Sequence, residues 1–322
     1  YSVAFSTGRR AEIHTRQDPR RMMHCTSPDK RGQLIVPPSM LSNALLTLAQ
    51  TAPTSGSGET VQAADVLHML AVSVALALPS LWLLHRLTRR DHRINAAPMR
   101  GSTLTPMHLL VVFALWQGST VLVAQSLMFL GNAQASIAAG IVGQVLLIAS
   151  AVWLGAKTFD LGVRQGMGLD ARKPAKDTLK AVLLYFLAAP VVTLLSMTIR
   201  WLVPNLEIHE MLRQIVLQPV AWKVAIAFSA VVAAPLAEEI FFRGLLQSML
   251  RKHMAPWPAI IVTSVVFGLI HLSVPDSVIP LMLFGAALGW AYENTGRLLT
   301  PILLHMVFNG VSVSAALMSG NG

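Results

Sequence analysis

The chain has 322 residues, of which 54% are hydrophobic and 12% are charged, and its formal net charge is +10 at pH 7. A soluble domain carries about 25% charged residues, so this composition excludes an ordinary soluble protein and favours a polytopic membrane protein. The basic residues lie in the N-terminal part and in short loops between apolar stretches. That placement is a membrane-topology signal and argues against a nucleic-acid-binding protein.

Residues 1–60 show no apolar periodicity and are rich in Arg, Pro, Ser, Thr and Gly. We therefore expect them to form a disordered basic and polar tail. The chain begins with Tyr1, and Met40, which precedes a short apolar stretch, is a plausible alternative start. We therefore expect the chain either to be a fragment or to have a misassigned start.

The rest of the chain contains apolar stretches of about 20 residues, the length that crosses a bilayer. They predict an all-α, polytopic transmembrane helix bundle of about eight spans. Residues 61–220 would hold the first four spans and residues 221–322 the last four. Basic residues concentrate in alternate loops, which we place in the cytoplasm, and the expected location is the cell membrane. The predicted spans cover residues 64–84, 106–130, 135–155, 180–203, 222–248, 257–273, 277–293 and 298–318.

Charged and imidazole side chains at membrane depth occur only in the last four predicted spans. Inserting such a charge costs about 2.5–3.5 kcal/mol, so a chain that keeps several together either pairs them or uses them. Glu239 and Arg243 are four residues apart on one helix face, which predicts an ion pair. Glu238 has no partner four residues on and is therefore the carboxylate left free for chemistry. The remaining deep groups are His271 and His305.

Two more polar spans show the same spacing of four residues. Phe267 and His271 form one such pair, and His305 and Asn309 form the other, so each pair lies on one helix face. If these faces converge with that of Glu238, carboxylates, imidazoles, a guanidinium and an amide share one pocket. Such a pocket must admit water or satisfy all of its own polar groups.

Three motifs carry a family resemblance: Glu-Glu-Ile-Phe-Phe-Arg from residue 238, Phe-Gly-Leu-Ile-His from residue 267 and His-Met-Val-Phe-Asn from residue 305. They resemble the E-E-x-x-x-R, F-x-x-x-H and H-x-x-x-N motifs of the CAAX protease and bacteriocin-processing family, the Abi-type intramembrane proteases. The resemblance covers about residues 225–318. Each motif alone is weak, but the three in this order and at membrane depth are specific.

The resemblance implies hydrolysis of a peptide bond within the membrane, with residues 221–322 as the catalytic part. Glu238, alone or with His271, would act as the general base that takes a proton from a water molecule. His305 and the amide of Asn309 would stabilise the oxyanion that develops on the attacked carbonyl. The substrate would be a membrane-anchored protein or peptide. The supporting residues would be Glu239, Arg243 and Phe267.

A metal-dependent version of this reaction stays open. Glu238, His271 and His305 could provide three ligands to a divalent metal such as zinc and leave a fourth position open. The H-E-x-x-H helix that favours zinc is absent from the sequence. The residues alone do not decide between a metal and a glutamate-activated water.

Two functions of other classes compete with the intramembrane endopeptidase. The first is a non-catalytic immunity or scaffold protein of the same fold, which would be favoured if Glu238 or either histidine were missing; all three are present. The second is a proton-coupled transporter, because Glu and His inside a membrane also mark proton relays. A transporter would be expected to carry such groups in both halves of the chain, and the first four spans have none at membrane depth, since His68 and His108 lie near span ends.

Overall fold

The computed structural model describes residues 63–88, 101–203, 218–272 and 274–319. The predicted tail at residues 1–60 and the alternative start at Met40 lie outside this part of the chain. Every long element within it is helical, which confirms the all-α prediction. We name the helices α1 (Ala63–Thr88), α2 (Pro106–Ser126), α3 (Asn132–Thr158), α4 (Pro174–Leu202), α5 (Val220–Leu250), α6 (Pro256–Leu269), α7 (Val278–Thr295) and α8 (Leu299–Ser319).

Four helices among the described residues are long and apolar enough to cross a membrane. They are Pro106–Ser126, Ala133–Thr158, Pro174–Ile199 and Val220–Leu250, in α2 to α5. Three shorter apolar helices accompany them, at Val74–Arg86, Pro256–Leu269 and Leu299–Ala315. Each predicted span coincides with one of α1 to α8, while the count of about eight membrane crossings stays a prediction.

Proline marks the start of several helices, because its missing N–H has no intrahelical partner in the first turn. Pro106, Pro174 and Pro256 occupy this position in α2, α4 and α6. At α2 the preceding Thr105 takes part in a capping interaction, because its backbone N–H donates to Nδ1 of His108 at 3.2 Å. At the C-terminal end of α7, Gly296 has φ 63°. This is the left-handed conformation that often ends helices and that glycine adopts without strain.

Helix α5 is not a uniform α-helix, because it contains two π-helical segments, Ser229–Ala233 and Ile240–Gln247. Pro235 gives a physical reason for the first segment. It has no N–H to donate to the carbonyl four residues earlier, and its ring crowds that carbonyl, so a regular α-helical turn cannot form there. Instead, the N–H of Ala234 bonds to the carbonyl of Ser229, five residues earlier. Such π segments often occur at functional sites.

The helices of the first half pack directly against those of the second half. Helix α3 contacts α2 and α5, and α4 contacts α1, α7 and α8. One end of the bundle is fastened by polar contacts between distant parts of the chain: Arg297 forms an ion pair with Asp177, and Lys252 donates to the Leu104 carbonyl at 3.1 Å. Asp177 accepts two bonds from Arg297, and this raises the pKa of that guanidinium above its already high value.

Candidate active site

The three charged residues of the first motif lie on α5 and are buried. Arg243 donates from Nη1 to Oε1 of Glu239 at 2.8 Å, which confirms the predicted ion pair, and both side chains are 0% exposed. Arg243 also donates from Nη2 to the carbonyl of Gly285 on α7 at 3.0 Å. The pair therefore fixes α5 against α7 as well as neutralising a charge. Glu238 takes no part in it.

His305 on α8 contacts both carboxylates of α5. Its Nδ1 donates to Oε1 of Glu239 at 2.8 Å, and its Nε2 lies 3.9 Å from Oε2 of Glu238. The bond to Glu239 fixes the ring orientation and assigns a proton to Nδ1, because an ionised carboxylate can only accept. The second nitrogen is thereby aimed at Glu238. Glu238 retains 5% exposure, while the Glu239 and Arg243 side chains it adjoins retain none.

His271 lies in the turn that follows α6, two residues beyond its last residue Leu269, and its ring bonds back to that helix. Its Nδ1 lies 2.6 Å from the carbonyl oxygen of Phe267, so it donates there and, in the neutral ring, leaves Nε2 as an acceptor. This buried Nε2 has no hydrogen-bond partner among the described residues. The four-residue spacing thus produces a bond from the His271 ring to the Phe267 backbone in addition to the contact between the two rings. The ring keeps one nitrogen available for chemistry.

Phe267 joins the two histidines through its ring. Its centroid lies 5.0 Å from that of His271 and 5.9 Å from that of His305. The Arg243 guanidinium lies 4.9 Å from the same ring, within the range of a cation–π contact. Phe284 also packs edge-on against His305, with ring centroids 5.4 Å apart. Both imidazoles are therefore in aromatic contact with Phe267, the residue predicted to support the site.

Asn309 lies one helical turn beyond His305 on α8. Its Nδ2 donates to the carbonyl of Ala230 at 2.8 Å, and its buried Oδ1 has no partner among the described residues. The Ala230 carbonyl is available because Ala234 bonds to Ser229 instead, and the next residue along, Pro235, has no N–H. The π-helical segment of α5 thus creates the acceptor that holds Asn309.

Sequence reasoning missed a row of polar contacts that extends from the site along α5 and α7. Gln247 donates from Nε2 to the Gly289 carbonyl and to the Glu293 carboxylate, each at 3.1 Å. One turn further, Nε of Arg251 lies 3.3 Å from the same carboxylate. The spacing of four from Arg243 to Gln247 to Arg251 was a visible signal. Its partners lie more than 40 residues away and could not be deduced from spacing.

The described residues do not form the metal site with three protein ligands that the sequence left open. No group of three or more His, Cys, Asp and Glu side chains in this part of the chain is arranged to hold a metal ion. Glu238 and His305 approach each other, whereas His271 is in contact with the Phe267 ring, which also contacts His305. The set Glu238, His271 and His305 therefore does not fit a catalytic zinc centre, which needs three converging ligands.

Comparison with known protein families gives a match for the part of the chain that contains this site. Residues 220–311 match the family model described as type II CAAX prenyl endopeptidase Rce1-like. Residues 220–311 belong to this family. The match contains all seven predicted site residues and confirms the predicted resemblance. Comparison with curated proteins gave no match, and comparison with solved structures gave none either.

Membership of the Rce1-like family implies a protease that acts on a protein or peptide. Together with the long apolar helices α2 to α5, it makes the chain a multi-pass integral membrane protein. The matched region begins at the first residue of α5 and ends within α8. It therefore includes α5, α6 and α7 in full and the part of α8 that contains His305 and Asn309.

Proposed function

We propose that this protein is an intramembrane endopeptidase that hydrolyses a peptide bond of a membrane-associated protein or peptide. One observation carries the proposal. The carboxylate of Glu238 lies outside the Glu239–Arg243 ion pair and faces Nε2 of His305 across 3.9 Å. A gap of this size is too long for a direct hydrogen bond, and a water molecule can bridge it.

In the first step Glu238 acts as the general base. It takes a proton from a water molecule, and the water oxygen forms a bond to the scissile carbonyl carbon. His271 assists by accepting a hydrogen bond at Nε2, which bears a lone pair because Nδ1 donates to the Phe267 carbonyl, and it does not itself take the proton. Burial favours such a base, because little surrounding water competes for the proton.

The second group of residues stabilises the charge that develops on the carbonyl oxygen. His305 donates from Nε2 to that oxygen when the ring carries a proton there as well as on Nδ1, which bonds to Glu239. Asn309 donates its second amide hydrogen, since the first is used by the Ala230 carbonyl. Donors held in place before the reaction lower the barrier, because they need no reorganisation in the transition state.

In the last step Glu238 returns its proton to the departing nitrogen. The C–N bond breaks and leaves a new carboxyl terminus and a new amino terminus. Glu239, Arg243 and Phe267 act as positioning residues. Glu239 and Phe267 contact His305, and Arg243 forms the ion pair with Glu239. This scheme uses one water molecule and requires no metal.

We also propose that α1 to α8 all cross the bilayer and that this bilayer is the cell membrane. The first four helices support residues 221–322, which contain the catalytic residues. The ion pair between Arg297 and Asp177 supports this arrangement, because it ties the α7–α8 connection to the start of α4. The basic residues near this end of the bundle match the topology in which it faces the cytoplasm.

The experiment compares membrane peptidomes of cells that express the wild-type chain or Glu238→Gln. This substitution keeps the size of the side chain and removes the base. Peptides that end at a new terminus should appear only with the wild type. Asp160→Asn is the matched control, because Asp160 is an exposed carboxylate outside the site. Identical peptidomes for wild type and Glu238→Gln would overturn the proposal.

A further inference from the structure

The π-helical segment of α5 is held from outside the region that matches the family. Gln144 is a buried polar residue on α3, in the first half of the chain. Its Oε1 accepts a hydrogen bond from the hydroxyl of Ser229 at 3.0 Å. Ser229 is the first residue of the π-helical segment, and its neighbour Ala230 holds Asn309.

Apolar packing places these elements together around Ala230. Ile137 on α3, Ile226 and Ala230 on α5 and Val313 on α8 form one buried cluster. Gln144 follows Ile137 by seven residues, so it lies on the same face of α3. It is thus a polar side chain on an otherwise apolar helix face, at a depth where polar groups are costly and are often retained for function.

We propose that Gln144 is a positioning residue of the active site, which orients Asn309 through Ser229 and the freed carbonyl of Ala230. The proposal rests on the proposed function, in which Asn309 stabilises the oxyanion. In the π-helical turn the Ala230 carbonyl has lost its α-helical donor. Its direction therefore depends on how the turn is anchored, and the Ser229–Gln144 bond is the side-chain anchor observed there.

The direction of that carbonyl sets the direction of the Asn309 amide. Nδ2 of Asn309 must follow the Ala230 oxygen to keep a bond of 2.8 Å. A displacement of about 1 Å at a catalytic group can cost about 100-fold in rate, so a small change in the turn is enough to matter. The first half of the chain would then contribute to catalysis rather than only to support.

The test uses three single variants and one double variant. The single variants are Gln144→Leu, Ser229→Ala and Asn309→Ala, and the double variant combines Gln144→Leu with Asn309→Ala. Gln144→Leu should lower kcat on a membrane-anchored reporter peptide by about 10- to 100-fold and leave KM within about twofold. Added to Asn309→Ala, it should cause no further loss, because the group that it orients is already gone. Ser229→Thr, which keeps the hydroxyl, should retain more activity than Ser229→Ala.

Gln134→Leu is the matched control. Gln134 lies on the same helix and makes the same kind of bond, from Nε2 to Oε1 of Gln218 at 3.0 Å, away from Ala230. It should leave kcat unchanged. Equal losses of kcat for Gln134→Leu and Gln144→Leu would overturn the proposal, and so would additive losses for Gln144→Leu and Asn309→Ala.

A second measurement does not depend on proteolysis. Thermal unfolding in detergent of the same variants should show that the double variant Gln144→Leu/Asn309→Ala loses less Tm than the sum of its single variants. If the wild-type protein cleaves nothing, the proposed function is wrong. The non-additivity of the Tm losses still tests whether Gln144 and Asn309 are coupled. Strictly additive Tm losses would overturn it.

Discussion

The Nε2 atom of His305 lies 3.9 Å from the Oε2 atom of Glu238. This is the closest approach that Glu238 makes to a histidine of the site in the described structure. Helices α5 and α8 supply one residue each, and the Glu239–His305 bond holds the pair at this separation. In the proposed hydrolysis a water molecule bridges these two atoms, so that it contacts Glu238 as the base and His305 as a donor.

Glu238→Gln should separate activity from stability. The carboxylate of Glu238 is buried outside the Glu239–Arg243 pair, so its charge is poorly compensated and its removal costs the fold nothing. We expect Tm in detergent to stay the same or rise. Glu239→Gln, which weakens bonds to both Arg243 and His305, should lower Tm. A larger Tm loss for Glu238→Gln than for Glu239→Gln would show that Glu238 is structural.

Arg243→Met should destabilise the protein by about 3–5 kcal/mol, because it leaves the buried Glu239 carboxylate without its cation. Adding Glu239→Gln should restore much of that loss, since no uncompensated charge then remains. Denaturant unfolding in mixed micelles measures both effects. Arg243→Lys should not rescue fully, because one ammonium cannot reproduce the two directed bonds to Glu239 and Gly285. A double variant less stable than Arg243→Met would contradict the ion-pair account.

Asn309→Ala should lower kcat by about 100- to 1,000-fold with a small change in KM, as expected for the loss of an oxyanion donor. Ser312→Ala is the matched control on the same helix. Its buried hydroxyl donates to the Phe308 carbonyl within α8, so its removal should leave kcat unaltered. Steady-state kinetics on a reporter peptide separates the two constants. An increase in KM alone would make Asn309 a substrate-binding residue.

Gly268→Ala should displace α6 from α7 and lower both stability and activity. An added Cβ would lie 2.6 Å from the Val278 carbonyl oxygen and 2.4 Å from Cγ of Met282, closer than atoms can approach. Gly268 lies between Phe267 and His271, so the shift reaches the site. Gly118→Ala is the control, because a Cβ there meets nothing within 4 Å. It should be neutral or stabilise α2 by up to about 1 kcal/mol. Equal behaviour of the two variants would contradict the packing.

Chelation should leave proteolysis intact. The described His, Cys, Asp and Glu side chains form no group that could hold a metal, and the proposed reaction uses a water molecule activated by Glu238. Purified protein is treated with a strong chelator, dialysed and assayed against an untreated sample. Loss of activity that returns on adding zinc would show that a metal takes part.

Sequence patterns predicted the parts of this site that depend on local spacing. The Glu239–Arg243 pair and the helices that carry His271 and His305 follow from four-residue steps and apolar length. The sequence did not predict that the carbonyls of Ala230 and Gly285 accept hydrogen bonds from Asn309 and Arg243. The first is freed by a change of hydrogen-bond register in α5, and the second is reached across 42 residues. Neither a local register change nor a distant backbone partner alters hydrophobic periodicity.

The most direct test of the account is the initial rate of cleavage of a membrane-anchored reporter by purified protein in liposomes, for wild type and Glu238→Gln. The account predicts that the variant, correctly inserted and as stable as the wild type, is slower by at least about 100-fold, the contribution of a general base. A variant that cleaves at the wild-type rate would contradict the account, because the proton would then be taken by another group.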